Sequence, residues 1–252
     1  MRGPTETLID RDRGPLSMRE YLWATRRPGF NVVYTAALLA VYEIGLLLVD
    51  ENRRNAADVF LKSSLERLGP WGPHAFNGAL LVLFLWFGWR GLERGERFVR
   101  YLPAFFVETA SYALLLSPAV LYLRVPFLSN PLPGDLILDL GAGVYEEIVF
   151  RFVLLRGALW LMHIDPWHAV SARDGVSPMA HHAGSVTLVV LGSALAFSLY
   201  HHVGSGGEAF DFAVFAFRFV AGLLLALVYL ARGLAVAAYT HAIYDVLMHL
   251  AT

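Results

Sequence analysis

Apolar runs of about 16 to 25 residues return along the whole chain, separated by short stretches rich in charge, proline or glycine. Each run is close to the roughly 20 residues a helix needs to cross a hydrocarbon core, and well beyond the ~10 of a spanning strand. Backbone inside lipid must satisfy its own hydrogen bonds, which leaves the helix as the spanning element for runs of this length. Seven such segments are expected, roughly Phe30 to Val49, Trp71 to Trp89, Pro103 to Leu123, Leu136 to Met162, Ser185 to Tyr200, Ala209 to Ala231 and Leu234 to Leu250. A hydrophobic share of 57% and a mean hydropathy of +0.52 exceed what a water-soluble domain can hide, so part of this surface must face something other than water. The expected fold class is all-α: a polytopic transmembrane helical bundle of about seven spans.

Three regions follow. Residues 1–29 form a polar N-terminal segment carrying Arg11, Arg13, Arg19, Arg26 and Arg27, residues 30–134 hold N-terminal transmembrane helices that read as scaffold, and residues 135–252 form a second membrane domain. The first apolar run is too long for a signal-peptide core and is read as a retained helix. Short amphipathic surface helices are expected over 12–27 and 52–68. A formal charge of -1, with arginines scattered between apolar runs, argues against a nucleic-acid partner. The absence of cysteine excludes disulfides, thiolate metal sites and cysteine nucleophiles.

Ionisable side chains are unevenly placed. The first three spans carry single acids, Glu43 and Glu108, whereas the last four hold Asp139, Glu146, Glu147, Arg151, Arg156, His201, Arg218, His241 and Asp245. An ionisable group near the bilayer centre costs on the order of 2.5 to 3.5 kcal/mol, so such groups normally face a bundle interior, pair and mark a functional path. In YEEIVFR, adjacent glutamates on a helix point about 100° apart, while Glu147 and Arg151 are i, i+4 neighbours in the favourable orientation for an ion pair. Glu146 is left on another face as the candidate base, with Ala142 and Gly143 one turn back clearing room for substrate or water. Carboxylates in low-dielectric surroundings take up protons more readily than in water, which suits general acid–base work. Phe197 and His201 share one face at the end of the fifth span. His241 and Asp245 share one face of the seventh, a spacing that suits a shared water or metal, or an aspartate fixing the histidine tautomer. Taken singly, each is as easily a structural group. The histidines at 163, 168, 181 and 182 fit no ligand spacing and are read as loop residues.

In order, these residues resemble the CPBP family, the Rce1-like or Abi group of CAAX-processing intramembrane proteases: Glu146, Glu147 and Arg151 match its first motif, Phe197 and His201 its second, His241 and Asp245 its last. The resemblance covers about residues 135 to 250 and implies an intramembrane endopeptidase, glutamate-type or metal-dependent, in a bacterial cytoplasmic membrane. It implies Glu146, Glu147, His201, His241 and Asp245 as catalytic residues. Glu146 and His201 would activate water, and His241 with Asp245 would stabilise the oxyanion or bind metal. A divalent metal such as zinc would sit on Glu146, His201 and His241. Expected partners are the lipid bilayer and a membrane-associated peptide or protein substrate. Many members carry asparagine where this chain has Asp245. An ionised aspartate cannot donate to an oxyanion, so Asp245 must be protonated, orient His241 or bind metal.

Two other classes fit the same residues. A transporter would use Glu146, Arg151, Arg218 and Asp245 as a proton or ion relay, though no inverted repeat is visible. A non-catalytic membrane scaffold would use none of them chemically. Arginine in the loops favours an inside N-terminus and an outward cavity, the CAAX resemblance a cytoplasmic one.

Overall fold

The computed structural model describes residues 17–48, 54–67, 69–93, 98–122, 133–166, 182–203 and 207–250. Among these, all regular structure is helical, with helices over each of the seven apolar segments. In chain order they are α1 (Met18–Ala24), α2 (Pro28–Gly45), α3 (Ala56–Glu66), α4 (Gly72–Glu93), α5 (Leu102–Tyr122), α6 (Pro133–Gly141), α7 (Gly157–Leu161), α8 (Ala183–Tyr200), α9 (Phe212–Arg232) and α10 (Leu234–Leu250). Three stretches, Pro28–Leu48, Ala183–Tyr200 and Phe212–Arg232, are long and apolar enough to cross a membrane. Their outward side chains, with Leu81, Val82, Leu85, Trp86 and Trp89 of α4, form the exposed apolar face that lipid is suited to cover.

The fourth apolar segment departs from a regular α-helix. Between α6 and α7 the backbone winds as π-helix over Ala142–Glu146 and Ile148–Arg156, with Glu147 between them. A π turn pairs residue i with i+5 and advances less per residue than an α turn, so faces counted at 100° drift along this stretch.

α10 is the central post. Ala235, Val236, Ala237 and Ala238 are wholly buried and Ala242 nearly so, because their small side chains admit neighbours on every side. Gly143 meets this helix at backbone distance: a Cβ there would lie 2.6 Å from the Ala238 carbonyl oxygen and 2.6 Å from the Ala242 Cβ. The space expected to admit substrate at Gly143 is therefore filled by α10. This corrects the sequence reading, which could not see a helix arriving from almost a hundred residues away.

Polar ties lock the N-terminal helices onto this post. Arg232 Nη2 donates to Glu108 Oε2 at 2.9 Å, and the Tyr21 hydroxyl donates to the same carboxylate. Gly233 turns the chain from α9 into α10 at φ +95°, a left-handed conformation that favours glycine. There the Asn31 side chain accepts from Ala235 N at 2.8 Å. Glu43 receives Lys62 Nζ at 2.9 Å and the Tyr145 hydroxyl at 2.7 Å, linking α2 to α3 and to the π-helical stretch. The expected surface helices thus contain α1 and α3, and α3 is drawn inward. Its Asp58, fully buried, meets Lys62 at 2.7 Å, Arg54 at 3.1 Å and the Tyr42 hydroxyl at 3.0 Å.

Candidate active site

The polar residues of the last helices converge on a cavity of about 880 Å³, whose lining includes Asn55, Glu146, His201, Arg218, His241 and Asp245. Glu146 ends the first π-helical stretch and is 4% exposed. His201 caps the C-terminus of α8, and its Nδ1 lies 2.9 Å from the Phe197 carbonyl oxygen. A carbonyl only accepts, so Nδ1 carries the hydrogen and Nε2 is the basic nitrogen. That Nε2 faces Glu146 Oε2 at 3.7 Å. The separation is too long for a direct hydrogen bond and suits one water held by both atoms.

Glu147 points the other way. It and Arg151 are fully buried, with Arg151 Nη1 at 3.0 Å from Glu147 Oε1. Arg151 also donates to the Gly222 carbonyl at 3.2 Å and lies over the Phe197 ring at 4.4 Å. The same Glu147 oxygen is 2.9 Å from His241 Nδ1, while His241 Nε2 is 3.3 Å from Asp245 Oδ2. The four-residue spacings pair Glu147 with Arg151 and His241 with Asp245; the structure joins all four. With both ring nitrogens donating, the chain Arg151, Glu147, His241, Asp245 balances its charges, which answers the high cost of burying them singly. Phe197 packs edge-on against both His201 and His241, with centroids at 5.1 and 5.8 Å, and so sets their spacing.

The structure brings Glu146, His201, His241 and Asp245 to one cavity and leaves Glu147 and Arg151 behind its wall. It adds three residues that the sequence reading did not single out, Asn55, His249 and Glu208. Asn55 Nδ2 donates to Glu146 Oε1 at 3.2 Å from the start of α3. At the rim, His249 Nδ1 lies 2.6 Å from Asp139 Oδ2. Arg218 clasps Glu208 with bonds of 2.9 and 2.8 Å. These Arg218 hydrogen bonds, against the opposing effect of desolvation, hold the Glu208 carboxyl below the usual carboxylate range. Asparagine before an amphipathic run is a legible helix start; its reach to Glu146 is not. His163 and His182 stand outside the cavity lining, and His168 and His181 lie outside the described residues.

Among the described residues no three His, Asp or Glu side chains are arranged to hold one ion. Both nitrogens of His241 already face carboxylates, and with both donating neither has a lone pair for a metal. The zinc triad expected of Glu146, His201 and His241 does not fit this arrangement.

Residues 129–247 match the model of a protein family described as Type II CAAX prenyl endopeptidase Rce1-like. Through this region the chain is similar to the Rce1-like family. No curated protein and no solved structure matches it. The Rce1-like region contains every motif residue from Glu146 to Asp245, whereas Asn55, Glu43 and Lys62 lie outside it.

Proposed function

We propose that the chain is an intramembrane endopeptidase that hydrolyses a peptide bond of a membrane-associated substrate without a covalent intermediate. The observation that carries this reading is Glu146 Oε2 facing His201 Nε2 at 3.7 Å in the cavity. A water held by both gives its proton to Glu146 as its oxygen bonds to the scissile carbonyl carbon. Glu146 returns that proton to the nitrogen as the carbon–nitrogen bond breaks, a cycle in which atoms and charge balance. His241, held at Nδ1 by Glu147, turns its one Nε2–H from Asp245 to the developing oxyanion as substrate enters the cavity. In this reading Asp245 orients His241, and Glu147 and Arg151 support it from the dry side. The relay reading is less well supported, since Arg151 and Arg218 are both engaged in ion pairs.

The test is hydrolysis of internally quenched peptides by protein purified in detergent, with a farnesylated CAAX peptide and its unprenylated twin as probes. Wild type should cleave at least one. Glu146→Gln should lower kcat by about 100-fold or more, in the range that general acid–base groups contribute. Undiminished cleavage by Glu146→Gln would refute the mechanism. Activity lost to a chelator and regained with zinc would replace it with the metal-dependent route.

A further inference from the structure

We infer that Asn55, outside the Rce1-like region, is a positioning residue that aims the Glu146 carboxylate, so that surface helix α3 completes the active site. The inference rests on the proposed function above. Its first support is the orientation of one amide group. Asn55 is the N-cap of α3, and its Oδ1 accepts from Ala57 N at 2.8 Å. With the oxygen spent on the helix end, the other end of the planar amide is the donor, and it is Nδ2 that meets Glu146 Oε1 at 3.2 Å. Reversing the amide would set oxygen against carboxylate and leave the helix end uncapped, so the cap fixes the polarity of the contact.

The second support is how firmly this amide is held. The Asn55 backbone N–H donates to the Tyr42 hydroxyl at 3.2 Å, and the same hydroxyl donates to the buried Asp58. Lys62, bound to Asp58 at 2.7 Å, reaches on to Glu43 at 2.9 Å. Glu43 in turn accepts from Tyr145, the residue before Glu146. Consecutive residues of α2, Tyr42 and Glu43, thereby tie α3 to the backbone that carries the base. Oε1 is clamped by the amide and Oε2 is left to face His201 across the cavity. A carboxylate free to rotate would lose this aim, and misplacing a reacting group by about 1 Å can cost on the order of 100-fold in rate.

The rival account is that Asn55 only caps α3. Serine and aspartate cap helices about as well as asparagine, so both accounts keep the fold in Asn55→Ser and Asn55→Asp. They part on kinetics. Serine is too short to reach Glu146 while capping, and aspartate sets a second carboxylate against it. With the peptide cleaved by wild type, Asn55→Ser should lower kcat about 10- to 100-fold with KM within about twofold and the melting temperature unchanged, and Asn55→Asp should lower kcat further, with some loss of melting temperature from the apposed carboxylates. Wild-type kcat in Asn55→Ser, alongside an inactive Glu146→Gln, overturns the inference and leaves the proposed function standing. Wild-type protein that cleaves neither peptide overturns the proposed function and the inference with it, so the wild-type reaction tells the two failures apart.

Discussion

Glu146 and Glu147 are consecutive, yet they serve separate circuits. Glu146 faces the cavity with Asn55 and His201, while Glu147 faces the dry interior with Arg151 and His241. Arg151→Leu should therefore act on stability first: removing one partner of a buried pair typically costs about 3 to 5 kcal/mol, read by chemical denaturation in detergent. Adding Glu147→Gln should recover part of that loss, because the uncompensated charge goes with it. Glu208 gives a pH signature at the rim, outside the spanning helices. Its carboxyl is held low by Arg218, so its contribution is present above the unfolded value, near pH ~4.3, and is lost as pH falls through the lower folded value. The melting-temperature gap between wild type and Glu208→Gln should be constant above about pH 5 and close as the solution is acidified past that window. The effect will be small, since the side chain is 56% exposed and solvent screens it. At this scale the sequence shows what helix periodicity reaches. The contact of Glu147 with Arg151 is written in a four-residue spacing, whereas His241 to Glu147 joins positions 94 apart and needs the fold to exist first.

Among the elements, the π-helical stretch and α10 define the cavity floor together. Nothing in AGVYEEIVFR announces a wider turn: it has no proline, and its apolar pattern suits an α-helix equally well. The π winding was therefore illegible, whereas its packing against α10 and α8 is a property of the assembled fold. Gly143 is the sensitive point of that packing. Gly143→Ala would place a methyl 2.6 Å from the Ala238 carbonyl oxygen, forcing α10 away and moving His241 with it. A loss of about 1 to 3 kcal/mol in stability is expected from such overpacking, with hydrolysis falling in parallel. A variant that melts and cleaves like wild type would show that the two helices yield there at no cost.

For the whole molecule, the succession of apolar runs made the helical architecture readable, since run length and backbone hydrogen bonding in lipid leave few choices. The division of labour was less readable. The N-terminal helices look like scaffold in sequence because their contribution is one neutral amide, and composition flags charges rather than amides. Docking of α3 is the joint between the two halves, and Asp58 is its fastener. Asp58→Ala should release α3, seen as faster cleavage by added trypsin after Arg54 or Lys62, together with at least tenfold slower peptide hydrolysis, since about 100-fold follows from misaligned reacting groups. Leu47 and Leu48, 83% and 84% exposed, and Trp86 and Trp89 of α4 are also uncovered by the protein itself. Such a surface is complete only with an amphiphile bound to it. The belt of lipid or detergent is thus a component of the folded state, and exchanging one amphiphile for another is itself a perturbation, to be held fixed when any two variants are compared.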